Sequence, residues 1–189
     1  KVALVDILEA KLKDFDRTLL RRYEPSPKQK KFHDAGRDPN IRERLCCAAN
    51  QVGKSYASSA EIAMHLTGQY PDWWEGAEWD HAITAWACCE TAQVTRDTLQ
   101  RLVLGKPGEW GTGMLPGDAI VNIQRAAGAV PDCVETVTVR HKSGGLSRLT
   151  FKNYTQSRES FQGQTLDAVV LDEEPPEDVY MEGITRTNA

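Results

Sequence analysis

Between residues 2 and 22 the apolar side chains Val5, Leu8, Leu12, Phe15 and Leu19 recur in steps of three and four, with charged residues between them. That spacing predicts one face of an amphipathic helix, a plain packing helix or, alternatively, a docking surface for a partner. Tyr23-Glu24-Pro25-Ser26-Pro27 ends it, because proline cannot continue a helix. Leu45-Cys46-Cys47-Ala48 is an unbroken apolar run and predicts a short buried strand, followed after a loop by a helix over SYASSAEIAMHL. Gly68 to Gly76, with Pro71 and Trp73-Trp74, predicts a turn weighted with aromatics. His81 to Cys88 predicts the next strand, and Glu90 to Leu104 a helix with Val94, Leu99, Leu102 and Val103 inward. Gly105 to Gly117 is glycine-rich and predicts a mobile loop.

The segment Val134 to His141 alternates strictly, and Ser143-Gly144-Gly145 separates it from Leu146 to Tyr154, which predicts a β-hairpin. Ala168-Val169-Val170-Leu171 predicts a buried strand running into Asp172-Glu173-Glu174, and a helix-like stretch follows. Helices alternating with strands predict an α/β fold: a mainly parallel central sheet flanked by helices, with the antiparallel hairpin as an addition. Residues 1–40 read as an N-terminal helix with an adenine-recognition segment, and 41–189 as the core.

Composition narrows the function classes. With 189 residues, 40% of them hydrophobic and 26% charged, the chain has the make-up of a globular domain able to bury a core. A net charge of −4 excludes a chain that clamps nucleic acid by bulk charge. The densest basic patch, Lys28, Lys30, Lys31 and Arg37, is either solvated surface or a local DNA contact. The five cysteines lie as Cys46-Cys47, Cys88-Cys89 and Cys133, without a C-x-x-C; in strand-like runs they predict buried reduced thiols and a cytosolic setting. Scattered histidines give no zinc pattern. No apolar run of about 18 residues or secretory signal is present, so no membrane partner is expected. The sequence begins without Met and stops directly after a helix-like stretch, which suggests a piece of something longer.

The chemistry concentrates in Ala48-Ala49-Asn50-Gln51-Val52-Gly53-Lys54-Ser55. This matches the phosphate-loop pattern G-x-x-x-x-G-K-[ST], with Ala48 in the place of the first glycine. At a helix N-terminus the unpaired N–H groups and the macrodipole favour phosphate, so the amides of Asn50, Gln51, Val52 and Gly53 would wrap it. Lys54 would reach the β- and γ-phosphates of ATP, and the Ser55 hydroxyl would hold Mg²⁺. Upstream, the Gln29 amide can donate to N7 and accept from N6 of adenine while Tyr23 covers the ring face. Downstream, Asp172 at the carboxyl end of its strand would hold hydrated Mg²⁺, and Glu173 would orient and deprotonate the attacking water. A chance turn with a surface lysine would explain the first motif alone, and a strand ending in an acidic loop the second, but not the ordered pair.

Together these residues resemble the large subunits of tailed-phage DNA-packaging terminases. The resemblance runs through Tyr23–Gln29, AANQVGKS, HLTGQYPDWWEG, HAITAWACCETAQVTRDTLQ and SRESFQGQTLDAVVLDEEPPEDVYMEGITRT. It implies an ASCE-type, RecA-like P-loop NTPase that hydrolyses ATP to move double-stranded DNA into a procapsid. It further implies a portal protein and a small terminase subunit as partners, a homo-oligomeric ring on the capsid (with a monomer in isolation) and a location in the host cytoplasm. A coupling motif and a nuclease domain would follow beyond Ala189. Two rival readings use the same residues: a helicase or DNA-repair ATPase on a related core, and a nucleotide-binding assembly module with little turnover.

The sequence departs from the family in two ways. Many relatives carry an arginine inside the loop where this chain has Ala49-Asn50-Gln51-Val52, and Ala48 for glycine stiffens the turn slightly. The missing guanidinium makes Arg158, in the loop before the Asp172 strand, a candidate to act on a neighbouring subunit's nucleotide. The competing expectation is that Arg158 pairs with Glu159 or another acid. Arg140 and Arg148 are weaker candidates within the hairpin.

Overall fold

The computed structural model describes residues 4–6, 18–128 and 130–187. Most of the helix expected over 2–22, including Leu8, Leu12 and Phe15, therefore lies outside the described residues. Leu19–Arg22 forms a single 3₁₀ turn, held where the Leu19 N–H donates to the Gly113 carbonyl at 2.9 Å.

Five strands form one sheet in the order β2-β3-β4-β1-β5. They are β1 (Thr84–Cys89), β2 (Ile120–Arg125), β3 (Val134–Arg140), β4 (Leu146–Asn153) and β5 (Ala168–Leu171). β4, β1 and β5 run parallel, whereas β2, β3 and β4 form an antiparallel meander. The predicted hairpin is thus built into the sheet through β4 rather than added at its margin. β2 has no counterpart among the predicted strands: its pattern of half-buried and exposed residues is that of an edge strand, with little periodicity to detect.

The side-chain alternation of β1 explains the two cores. Ala85, Ala87 and Cys89 face the larger one, shared with Ile62, Leu66, Leu99, Leu104, Val137 and Leu149. Trp86 and Cys88 face the smaller one, with Phe161, Leu166 and Val179. Burial pushes the Cys88 thiol up to about 12, so it behaves as a small apolar side chain.

Among the described residues the helices are α1 (Pro27–Asp34), α2 (Lys54–Thr67), α3 (Ala92–Thr95), α4 (Arg101–Leu104) and α5 (Glu177–Arg186). α3 and α4 are joined by a π-turn over Arg96–Gln100, so the predicted helix over 90–104 is present with one irregular turn. α2 is buried almost all round beyond Ala57, which accounts for its small residues Ala57, Ser59, Ala60 and Ala63. It ends at Gly68, whose φ of +67° and close approach to the His141 ring leave no space for a side chain.

Four expectations are corrected. Leu45–Ala48 forms no strand and is exposed, Leu45 to 87%. A strand needs a ladder partner, and among the described residues the sheet ends at β5 without reaching this segment. Cys46 and Cys47 are consequently exposed, not buried. The 105–117 segment is not a loose loop: Met114 and Leu115 are fully buried. Their N–H groups donate to the Leu102 and Val103 carbonyls at 2.8 Å each. β5, for its part, is a half-buried edge strand instead of a fully buried one.

Candidate active site

The loop before α2 turns through two positive-φ residues. Gln51 takes φ +62° and Gly53 φ +83°, turning the chain so that the first N–H groups of α2 face outward. Asn50, Gln51 and Val52 are exposed at its tip. Lys54 lies back over the loop, its Nζ donating to the Ala48 carbonyl at 2.9 Å and to that of Ala49 at 3.3 Å. Ser55, one residue further into the helix, turns its hydroxyl to Asp172.

The Ser55 hydroxyl lies 2.9 Å from Oδ1 and 3.0 Å from Oδ2 of Asp172. β5 delivers Asp172 there because it pairs in parallel with β1, whose Cys88 carbonyl accepts from the Asp172 N–H at 2.8 Å. Burial raises the Asp172 carboxyl above its ordinary value, and the Glu173 charge adds to this, while the Ser55 hydroxyl and the Lys54 ammonium oppose it. A buried carboxylate beside a serine hydroxyl is a fitting donor pair for a hydrated divalent cation. Among the described residues no cluster of three or more His, Cys, Asp or Glu is placed to cage a metal, and a magnesium shared with phosphates and water needs none. Glu173 follows on the exposed rim with φ +63°, a conformation non-glycine residues rarely adopt.

Gln29 joins the N-terminal segment to this loop. Its Nε2 donates to the Gly53 carbonyl at 3.0 Å, and its Oε1 accepts from the Ser26 N–H at 2.8 Å in a capping box that starts α1. Each end of the amide keeps one further hydrogen-bonding position for a base edge. Tyr23 departs from the expectation. Only 4% exposed, it packs edge-on against Tyr56 and Trp73, and its hydroxyl lies 2.8 Å from Nε2 of His33. Its ring face is occupied by protein, because a phenol with a buried partner is held inside the core.

Arg158 donates from Nε and Nη2 to Glu182 Oε1 at 3.2 and 3.0 Å, so the acid it meets is on α5 and not Glu159. Of the basic patch, Lys30 is engaged by Asp34 and Glu75 at 2.9 and 3.3 Å.

Sequence reasoning missed a buried polar network beneath the loop. Glu61, on α2, receives Nδ1 of His33 at 2.6 Å, Nε2 of His65 at 3.3 Å and the Arg44 guanidinium. Burial alone would raise the Glu61 carboxyl, yet these three partners hold it well below the usual carboxylate range. Arg44 also donates to the Phe32 carbonyl at 2.9 Å, anchoring the strandless approach to the loop against α1. The signal available was Glu61 and His65 at helical i,i+4 spacing inside an otherwise small and apolar helix.

A protein-family model for the large terminase subunit, T4-like virus type, N-terminal part, matches residues 45–189. The chain belongs to that family. It is 34% identical over 208 aligned positions to the terminase large subunit of Salmonella phage P22, covering all of this chain and 41% of that protein. It thus spans well under half the length of that relative. Two solved structures share the fold. The large terminase ATPase domain of Thermus phage P74-26 matches with a TM-score of 0.58 and 22% identity, over 89% of this chain and 62% of that one. The large terminase of the thermophilic bacteriophage D6E matches with a TM-score of 0.53 and 15% identity, over 88% and 37%. The mixed α/β sheet is therefore that of large terminase ATPase domains.

Proposed function

We propose that this chain is the ATP-hydrolysing motor part of a phage DNA-packaging terminase, working on double-stranded DNA with Mg²⁺-ATP as fuel. The observation that carries this reading is the Ser55–Asp172 contact, which joins the two halves of a nucleotide site across the fold. The outward N–H groups at the start of α2 bind the phosphates, where the helix dipole favours negative charge. Lys54 exchanges the Ala48 and Ala49 carbonyls for phosphate oxygens, which are stronger acceptors of a charged donor. Ser55 and Asp172 would hold the magnesium ion, which would supply neutralising charge to the phosphates. Glu173, on the open rim beside them, takes the proton of the attacking water. Membership of the terminase family favours packaging over the helicase reading.

The role in packaging follows from that membership: portal protein, small subunit and a ring of copies are the partners this reading assigns. Among the described residues no helix is long and apolar enough to cross a membrane.

The test is ATP-driven uptake of double-stranded DNA into procapsids by the full-length subunit, with phosphate release measured alongside and strand separation as a control. Packaging with phosphate release and no strand separation supports the reading. Strand separation without packaging moves it to a helicase, and nucleotide binding without phosphate release moves it to an assembly module.

A further inference from the structure

Tyr154 sits immediately after β4, next to the end of β1, and packs against the smaller core around Trp86 and Phe161. Its N–H donates to the Cys89 carbonyl at 2.9 Å, extending the β1–β4 ladder by one residue and fixing where the ring starts. From there the side chain passes the end of β1 and reaches β5. The phenol oxygen lies 2.9 Å from the Asp172 carbonyl, 3.4 Å from that of Cys88 and 3.5 Å from that of Glu173. A phenol has one proton, and the shortest of the three contacts receives it. A phenol ordinarily titrates at about 10, so at neutral pH the hydroxyl is a donor.

The Asp172 carbonyl belongs to the peptide plane that links Asp172 to Glu173. Rotation of that plane changes ψ of Asp172 and φ of Glu173 together, and φ of Glu173 is +63°. A left-handed glutamate is strained, and a rotated peptide would relax it. The Tyr154 hydrogen bond to the Asp172 carbonyl opposes that rotation. The Asp172 N–H, in the preceding peptide, donates to Cys88 and fixes the end of β5 from which the plane would turn. The Asp172 carboxylate has its own anchor in Ser55, so its position depends less on Tyr154 than that of Glu173 does.

We propose that Tyr154 is a positioning residue for the hydrolytic step: its hydroxyl locks the Asp172–Glu173 peptide in the strained orientation that aims the Glu173 carboxylate at the attacking water. The inference rests on the role of Glu173 proposed above. Phenylalanine keeps the ring's packing and removes only the hydroxyl, so Tyr154→Phe isolates the lock.

In the full-length subunit, Tyr154→Phe is expected to lower kcat by about ten- to a hundredfold, the scale of a small misplacement of a reacting group. KM for ATP should stay within about twofold, because phosphates and metal are held elsewhere. The deciding measurement is the same substitution in a Glu173→Gln background, read by single-turnover phosphate release. Since Tyr154 acts through Glu173, it should there cost little or nothing further. If Glu173→Gln is inactive while Tyr154→Phe turns over like the parent, the lock is overturned and the role of Glu173 stands. A full further loss in the Glu173→Gln background, or a rise in KM equal to the fall in kcat, also overturns the lock. If Glu173→Gln itself turns over normally, the acid assignment falls and takes the lock with it.

Discussion

Ser55 and Asp172 lie 117 positions apart in the chain and meet through two contacts of 2.9 and 3.0 Å between the serine hydroxyl and the carboxylate oxygens. The contact exists because β5 pairs in parallel beside β1, so that the carboxyl end of the sheet faces the start of α2. Parallel α/β sheets place ligands at that edge, outside the carboxyl ends of the strands.

Removing the lysine tests the loop directly. Lys54→Ala is expected to lower turnover at saturating ATP by at least about a hundredfold, the scale of losing a preorganised donor to developing charge. The fold should survive, because among the described residues the Lys54 side chain bonds carbonyls of its own loop. Near-parental phosphate release in this variant would sink the phosphate-loop reading.

The two acids at the end of β5 should fail in different ways. Asp172→Asn is expected to weaken Mg²⁺-nucleotide binding, since the residue beside Ser55 loses its charge. Glu173→Gln is expected to keep affinity and lose turnover, because an amide cannot take a proton from water. Nucleotide titrations at several magnesium concentrations, paired with kcat, separate them. Identical defects, or a larger effect from Glu174→Gln, would reverse the assignment.

Gln29 bridges the capping box of α1 and the Gly53 carbonyl. Gln29→Ala is therefore expected to raise KM for every triphosphate by freeing Gly53. If the free hydrogen-bonding positions of its amide read adenine, the variant should also lose discrimination between ATP and GTP, by about 1–3 kcal/mol. Comparing KM for both nucleotides checks this. An unchanged ATP/GTP ratio would leave Gln29 as a loop anchor alone.

For Arg158, the expectation of a trans role now includes a step. The Glu182 pair must open, and its arginine side is 59% exposed, so solvent screens the contact and opening is easy. Mixing Arg158→Ala with Lys54→Ala subunits should recover part of the activity if complementary interfaces form. No recovery in rings shown to be mixed would leave Arg158 as a tether of its loop to α5.

The Glu61 network sets a pH dependence. Its carboxyl titrates below the ordinary value in the folded chain and near about 4.3 when unfolded. A depressed folded value means the unfolded state binds the proton more readily. The stability it contributes is therefore complete above that unfolded value and is lost as pH falls towards the folded one. Glu61→Ala should cost about 3–5 kcal/mol near neutral pH, because Arg44 loses its buried partner. The gap in melting temperature between parent and variant should narrow below about pH 4. A gap independent of pH would show that packing, not charge, is what Glu61 supplies.

Local patterns determined much of this protein from sequence alone. The loop Ala48–Ser55, the acids Asp172 and Glu173, the β3–β4 hairpin and the helix over 54–67 all follow from residue types at short fixed spacings. The chemistry of a glycine, a lysine or an alternating strand depends mainly on its immediate neighbours. What tertiary structure decided depends on partners distant in sequence. Leu45–Ala48 has the composition of a strand, yet without a ladder partner it forms none, and its cysteines face out. Tyr23 has the chemistry to cover a base, but His33 and Trp73 draw it into the core. Arg158 found its acid on α5 and not next door, because 24 residues of chain bring Glu182 back beside it. Tyr154 ends a strand without any motif of its own. Its reach to Asp172 exists only because β4, β1 and β5 lie side by side, which is a property of hydrogen-bonded register and not of any local stretch.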